Sequence, residues 1–178
     1  MRKAVECPRC GKTIVRRRPS QGLGEQLLAG LLIYPFRCQL CAYRYRAFLG
    51  RPSFAPRREF VRLPVQYPVS MWEARSADRR AITEGTLIDL SLRGCAINCA
   101  TPFKTGTMLR LHVHLPVEAA PLAIDGAVVR YCGKDRLGVQ FQAIGPAEEA
   151  RLSQVVEQLW YAAPPPAHSW AFKEKTPG

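Results

Sequence analysis

Six short β-prone runs fill residues 63–142, and turn signals separate them at close spacing. The clearest lies at 108–115, where Leu109, Leu111, Val113 and Leu115 alternate with Arg110, His112 and His114. Side chains along a strand point to opposite faces in turn, so such a run has one buried face and one solvated face. Thr83 to Leu90, Gly94 to Ala100, Ala123 to Tyr131 and Leu137 to Gln142 have the same character. Ser91-Leu92-Arg93 and Gly133-Lys134-Asp135-Arg136 supply turns between them. The first run, 63–71, carries Pro64 and Pro68, which places it at a sheet edge or at the start of a strand. Short strands that each have one apolar face cover it by closing on themselves, so the expected fold is mainly β, a small six-stranded antiparallel β-barrel.

One helix should close this domain. Pro146 suits a first helical turn, Glu148 and Glu149 favour the positive end of the helix dipole, and Leu152, Val155, Val156, Leu159 and Trp160 form one apolar stripe. Beyond Ala162, Pro164-Pro165-Pro166 and the sequence to Gly178 read as a flexible tail, with Trp170 and Phe172 able to dock.

A different pattern governs the start of the chain. Four of the seven cysteines form two Cys-x-x-Cys pairs, Cys7-Pro8-Arg9-Cys10 and Cys38-Gln39-Leu40-Cys41, with 27 residues between them. Two knuckles that each supply two thiolates close a tetrahedral structural zinc site with no open position for catalysis. The gap exceeds the roughly 15–20 residues of common zinc ribbons, and a redox dithiol or chance pairs are the competing readings. Between the pairs, 24–34 is apolar and reads as a helix too short to cross a bilayer. It can cap the zinc module or lie against the second domain. Cys95, Cys99 and Cys132 fall on strands and read as buried apolar fillers. His112 and His114 share a strand face without a third metal ligand and read as exposed. The expected order is a zinc-ribbon-like module at 1–49, a linker at 50–56 with Pro52 and Pro56, the barrel with its helix at 57–162, and the tail at 163–178.

Charge separates the same two parts. Of the net charge of +12, residues 1–62 hold 14 Lys and Arg against 3 Asp and Glu, while the remainder holds 12 against 11. A localised basic excess suits an anionic partner such as nucleic acid, a nucleotide or a lipid surface, or else a solvated face. No run reaches the roughly 18 apolar residues of a membrane-spanning helix, and Met1 to Cys7 lacks the apolar core of a signal peptide. The expectation is a cytoplasmic protein, in a reducing compartment where paired cysteines hold metal rather than form disulfides.

Two further motifs frame the first strands. Arg57-Arg58-Glu59-Phe60-Val61-Arg62 precedes the first, and Asp89-Leu90-Ser91-Leu92-Arg93-Gly94 follows the second. In that order, with Gly138-Val139-Gln140-Phe141 downstream, they resemble the two-part signature of the PilZ family, Arg-x-x-x-Arg then Asp/Asn-x-Ser-x-x-Gly. The resemblance covers residues 57–142 and implies a PilZ-type barrel that binds cyclic di-GMP. That ligand has two phosphodiesters and two guanines, and flat guanidinium groups grip phosphate oxygens or the Hoogsteen edge of guanine bidentately. Arg58 and Arg62 match the two motif arginines. An arginine at Arg57 goes with capture of an intercalated ligand dimer. Asp89 accepts the Watson–Crick-edge N–H groups of guanine, Ser91 bonds a phosphate or base edge, and Gly94 permits close backbone approach. On residue chemistry alone, 89–94 also reads as an Asx/Ser turn with a left-handed glycine. Arg130 falls near a position where relatives stack a tryptophan on guanine, and its guanidinium plane can stack in turn.

No Ser-His-Asp order, glycine-rich phosphate loop or paired-carboxylate motif is present, so the chain reads as a receptor and not an enzyme. Ligand would order the arginine segment and thereby change how the zinc module meets the barrel or a partner protein. Two other readings stay open: a PilZ adaptor that has lost its ligand, and a zinc-ribbon nucleic-acid binder using Arg16-Arg17-Arg18 and Arg44-Tyr45-Arg46 with Tyr43 and Phe48.

Overall fold

The structure is a computed structural model that describes residues 5–49, 58–74, 82–116 and 118–162. Arg57, the linker expected at 50–56 and the tail expected at 163–178, with Trp170 and Phe172, lie outside the described residues. Two units are distinct: one holds the residues up to Val61 with the helix end from Trp160, the other Arg62–Leu159.

In the first unit the chain forms β1 (Val15–Arg17), α1 (Gly22–Gly30), β2 (Ile33–Cys38) and β3 (Arg44–Phe48), a three-stranded antiparallel sheet in the order β1-β2-β3 plus one helix. The helix expected over 24–34 therefore stops early. Gly30 is a weak helix former, Leu32 takes a positive φ of 60°, and Pro35 disfavours helical conformation at Tyr34 just before it. Ile33, Tyr34 and Phe36 are β-favouring and extend instead, and the Pro35 carbonyl accepts a hydrogen bond from the Arg18 backbone N–H. Leu23, Leu27 and Leu31 share an exposed face of α1 and the residue after it.

In the second unit, alternation builds the barrel. β4 (Leu63–Glu73), β5 (Thr83–Ser91), β6 (Gly94–Asn98), β7 (Met108–Val113), β8 (Leu122–Cys132) and β9 (Arg136–Ala143) close in the order β4-β5-β6-β9-β8-β7. The protein is thus mainly β, with a six-stranded antiparallel barrel as expected. Leu109, Leu111 and Val113 are fully buried with Val69, Met71, Leu87, Ile97 and Val129 in one interior. Truncating a leucine there, such as Leu111, to alanine is in the class of core changes that cost about 2–5 kcal/mol.

The proline-bearing run is a strand entry, as expected: β4 pairs with β5 over Leu63–Met71 but with β7 only over Val69–Glu73, so Pro64 and Pro68 lie in the half of the strand that has a single neighbour. The filler reading holds for Cys95 alone. Cys99 lies past the end of β6 and Cys132 at the last position of β8, both half-buried.

Helix α2 (Pro146–Ala162) buries Leu152, Val155, Val156 and Trp160, while Leu159 is half-buried. Glu148 in its first turn accepts the Ala123 N–H at 3.0 Å. Arg151 binds Glu148 at 2.8 Å, pairs with Glu118 and donates to the Pro121 carbonyl at 3.2 Å, which ties the helix to the approach to β8.

Candidate functional site

Asp89, on β5, meets two arginines at the barrel's surface. A bulge between Leu87 and Asp89 shifts the register of β5, and the carboxylate stays largely shielded, with 15% of its side chain exposed. Arg62 Nη1 lies 3.3 and 3.4 Å from its two oxygens, and Arg136 Nη2 lies 3.3 Å from Oδ2. Arg62 comes from the residue before β4 and Arg136 from the first position of β9, so the strand order β4-β5-β6-β9 brings three separate segments together. Arg136 is a partner that sequence reasoning missed.

The turn after Asp89 is built by packing. Ser91 is buried, and its hydroxyl donates to the Gly94 carbonyl at 2.9 Å, which places Ser91 inside the turn. Gly94 does not have a positive φ. A Cβ there would stand 2.4 Å from the Val139 carbonyl oxygen, so the β6–β9 pairing itself requires glycine. The expected result of Gly94→Ala is a loss of about 1–3 kcal/mol of barrel stability, read as a lower denaturant midpoint at unchanged slope, because strand backbone must move to relieve the contact.

Strand register carries the site onward from Asp89. Asp89 opposes Ala96, Ala96 opposes Gly138, and Gly138 opposes Tyr131. Directly opposed residues share a face, so a row with two small residues at its middle runs from the Asp89 carboxylate to Tyr131. Tyr131 is 58% exposed. Arg130 occupies a bulge between Val129 and Tyr131, is exposed, and donates from Nε to Gln140 Oε1 at 2.8 Å. The available aromatic plane in this row is therefore Tyr131, one residue from the predicted stacking position. The signal for it was an aromatic residue at the end of an alternating strand. A surface depression lined by Arg93, Asp125, Phe141, Gly145 and Glu149 includes none of these residues.

Arg58 belongs to the first unit. The segment that follows it is held there: Glu59 pairs with Arg18 at 2.8 Å and with Arg37 at 2.6 Å. Burial, and then the charge of Arg58, lower the Arg16 pKa. Arg17 lies 3.9 Å above the Tyr34 ring. The basic cluster Arg16-Arg17-Arg18 is thus partly engaged within its own unit.

The four cysteines of the two knuckles converge. The sulfurs of Cys7, Cys10, Cys38 and Cys41 lie within 4.8 Å of one another, with Cys7 to Cys41 and Cys10 to Cys38 both at 3.6 Å. A disulfide needs about 2.05 Å, whereas tetrahedral Zn–S bonds of about 2.3 Å set sulfurs roughly 3.8 Å apart. The spacing fits a metal. Both knuckles turn through a positive φ just after their second cysteine, 71° at Gly11 and 55° at Ala42. Burial raises the Cys38 thiol strongly. At Cys7 burial also acts upward, but the knuckle backbone N–H groups of Cys10 and Arg9 and the neighbouring thiols outweigh it and the pKa is lowered. Among the described residues, no helix is long and apolar enough to cross a membrane.

Comparison with known proteins bears on the barrel. The PilZ domain of CeSA from a cellulose-synthesizing bacterium is 25% identical, with a TM-score of 0.46 over 56% of this chain and 97% of that one. The Bacillus subtilis inhibitor of motility MotI/DgrA is 20% identical, with a TM-score of 0.51, and shares the fold over 68% of this chain and 56% of its own. The PilZ domain with c-di-GMP of YcgR from Escherichia coli is 18% identical, with a TM-score of 0.49 over 60% of this chain and 94% of that domain. No curated protein matches the chain. The sequence model of the PilZ domain matches residues 56–158, which span both motifs, all six barrel strands and most of α2. This protein belongs to the PilZ domain family.

Proposed function

We propose that the protein is a cytoplasmic cyclic di-GMP receptor without enzymatic activity. The observation that carries this reading is the Asp89 carboxylate held between Arg62 and Arg136 on the surface of a PilZ-family barrel. An aspartate presents two acceptors to the paired N–H donors on the Watson–Crick edge of guanine, and adjacent guanidiniums present donors to phosphate or to the Hoogsteen edge. Asp89 and Arg62 are the central contacts, with Arg58 and Arg57 supplying further cationic donors. Ser91 and Gly94 fix the turn that aims Asp89. Arg130 contributes a stacking plane or a donor, and Tyr131 offers an aromatic face in the same row. In this reading, Cys7, Cys10, Cys38 and Cys41 hold a structural zinc, and ligand-induced ordering of the arginine segment alters contact with a partner protein.

Calorimetric titration of the zinc-loaded chain with cyclic di-GMP tests the reading. A saturable signal at micromolar ligand supports it, with two ligands per protomer if Arg57 recruits an intercalated dimer. Absence of heat and of any thermal shift sinks it and leaves the adaptor reading.

The nucleic-acid reading gains nothing from the basic cluster, because Arg17 covers Tyr34 and Arg18 is paired to Glu59. Duplex DNA should bind weakly, without sequence preference and with a steep loss between about 50 and 200 mM salt. Sequence-selective retention at physiological salt in a mobility-shift assay contradicts this expectation.

A further inference from the structure

Gln39 lies inside the second knuckle, between Cys38 and Cys41 of the sulfur cluster, and is buried at 3% exposure. Its side-chain amide is engaged with backbone. Nε2 donates to the Glu59 carbonyl at 3.1 Å and to the Arg37 carbonyl at 3.2 Å, while Oε1 accepts the Val61 N–H at 2.8 Å. One glutamine thus bonds the backbone on both sides of Phe60, as a neighbouring strand would. The segment's side chains are held by the same sheet. Glu59 Oε1 accepts from Arg18 Nε at 2.9 Å, Glu59 Oε2 meets Arg37 Nη1 at 2.6 Å, and the Arg37 guanidinium lies 5.1 Å from the Phe60 ring centre. Arg37 directly precedes Cys38.

The anchored residues Glu59, Phe60 and Val61 are the three positions between the motif arginines. Arg58 precedes them and Arg62 follows them. We propose that the Cys38–Cys41 knuckle is a positioning device for the arginine segment, so that metal occupancy of the cysteine cluster and cyclic di-GMP binding are thermodynamically coupled. The inference deepens the receptor reading and rests on both of its ligands.

The physical basis is preorganisation. Two sulfur–metal bonds fix the backbone on either side of Gln39, and a fixed amide holds Glu59 and Val61 in register. Without metal the knuckle gains freedom, and the arginine-bearing segment must be ordered at the expense of ligand binding. A ligand whose competent state is only partly populated binds with an affinity reduced by that fraction. Coupling of this kind is reciprocal: whatever factor metal adds to messenger affinity, the messenger adds to metal affinity. Gln39 and Glu59 are positioning residues in this scheme, since neither is assigned a contact with the ligand.

The test uses the full chain. Cyclic di-GMP affinity is measured by calorimetry on zinc-loaded and chelator-stripped protein, with the barrel's thermal transition recorded to establish that it stays folded. Zinc retention against a chromogenic chelator is then measured with and without cyclic di-GMP. The expected result is at least fivefold weaker messenger binding after stripping, and an equal gain in zinc retention when messenger is present. Gln39→Ala should keep its zinc, bind messenger as the stripped wild type does, and show zinc retention indifferent to messenger. Glu59→Gln, which leaves every cysteine and the Gln39 contacts to backbone in place, should shift messenger affinity in the same direction.

Messenger affinities within twofold of each other in loaded and stripped protein, with the barrel folded, overturn the coupling while leaving the receptor reading intact. So does a zinc-loaded Gln39→Ala that matches wild type in both assays. Wild-type protein that binds no zinc overturns this inference alone, whereas wild-type protein that binds no messenger removes the receptor reading and this inference with it.

Discussion

Arg62→Ala should weaken cyclic di-GMP binding about tenfold or more in the calorimetric titration. A charge-assisted, partly bidentate contact is worth roughly 1.5–3 kcal/mol, and every 1.4 kcal/mol is about a factor of ten. Arg62→Lys should not restore the affinity, because an ammonium lacks the planar fork. Arg58→Ala should cost a similar amount. For Asp89→Ala two effects oppose one another. The change removes the acceptor for guanine N–H groups, but it also releases Arg62 and Arg136 from an internal counter-ion. The first should win: donors left unpaired in a desolvated site cost about 1–3 kcal/mol, whereas the ion pairs are long, and Arg136 is 55% exposed and screened by water. Arg136→Ala should therefore change affinity only two- to threefold. Equal affinity of wild type, Arg58→Ala and Arg62→Ala contradicts the proposed site.

The second large effect is on folding. Cys38→Ser should abolish stoichiometric zinc binding and unfold the N-terminal module while the barrel keeps its own thermal transition. The module is a three-stranded sheet and a nine-residue helix that contains no buried residue, a core too small to persist unaided. Structural zinc contributes apparent binding energies of about 10–16 kcal/mol in small domains, and much of that is folding energy. The barrel has a closed ladder and an interior of its own. Elemental analysis should give about one zinc per wild-type chain, and hydrogen exchange should show protection at Tyr34–Cys38 lost in the variant but kept at Leu109–Val113. Zinc-free wild-type protein with all seven thiols titratable contradicts the assignment.

What was legible in the sequence was whatever is coded by local pattern. Alternation at 108–115 gave a strand with its buried face correctly assigned, and the turn residues separated six strands that close into the barrel. The first three strands were not legible: β1 has three residues and β2 holds a proline, so neither alternates over a useful length. The site divided in the same way. Asp89 and Arg62 stood out as motif residues, but Arg136 lies 47 residues from Asp89 and reaches it only through the pairing of β5 with β6 and of β6 with β9. Glu59 and Gln39 had been filler positions within motifs named for their neighbours. Their importance is a matter of tertiary hydrogen bonding, which no spacing rule encodes. The motif glycine, Gly94, was legible as a place of close backbone approach, but not that the approaching group is the Val139 carbonyl of β9, nor that its φ is not positive.

The barrel is closed, whereas the sheet of the first unit ends, among the described residues, in strands with one partner each. β3 lies at one margin of that sheet, and its alternate exposed residues are Arg44, Arg46 and Phe48. A row of free backbone donors and acceptors invites another chain to extend the sheet, and charged side chains along the margin oppose it. Were a second copy to add there antiparallel about Tyr45, Arg44 of each would face Arg46 of the other, and like charges directly opposed destabilise such a pair. Arg46 is partly offset by Glu25 at 3.5 Å, which leaves Arg44 as the charge on that margin most opposed to growth of the small open sheet by addition of its own kind.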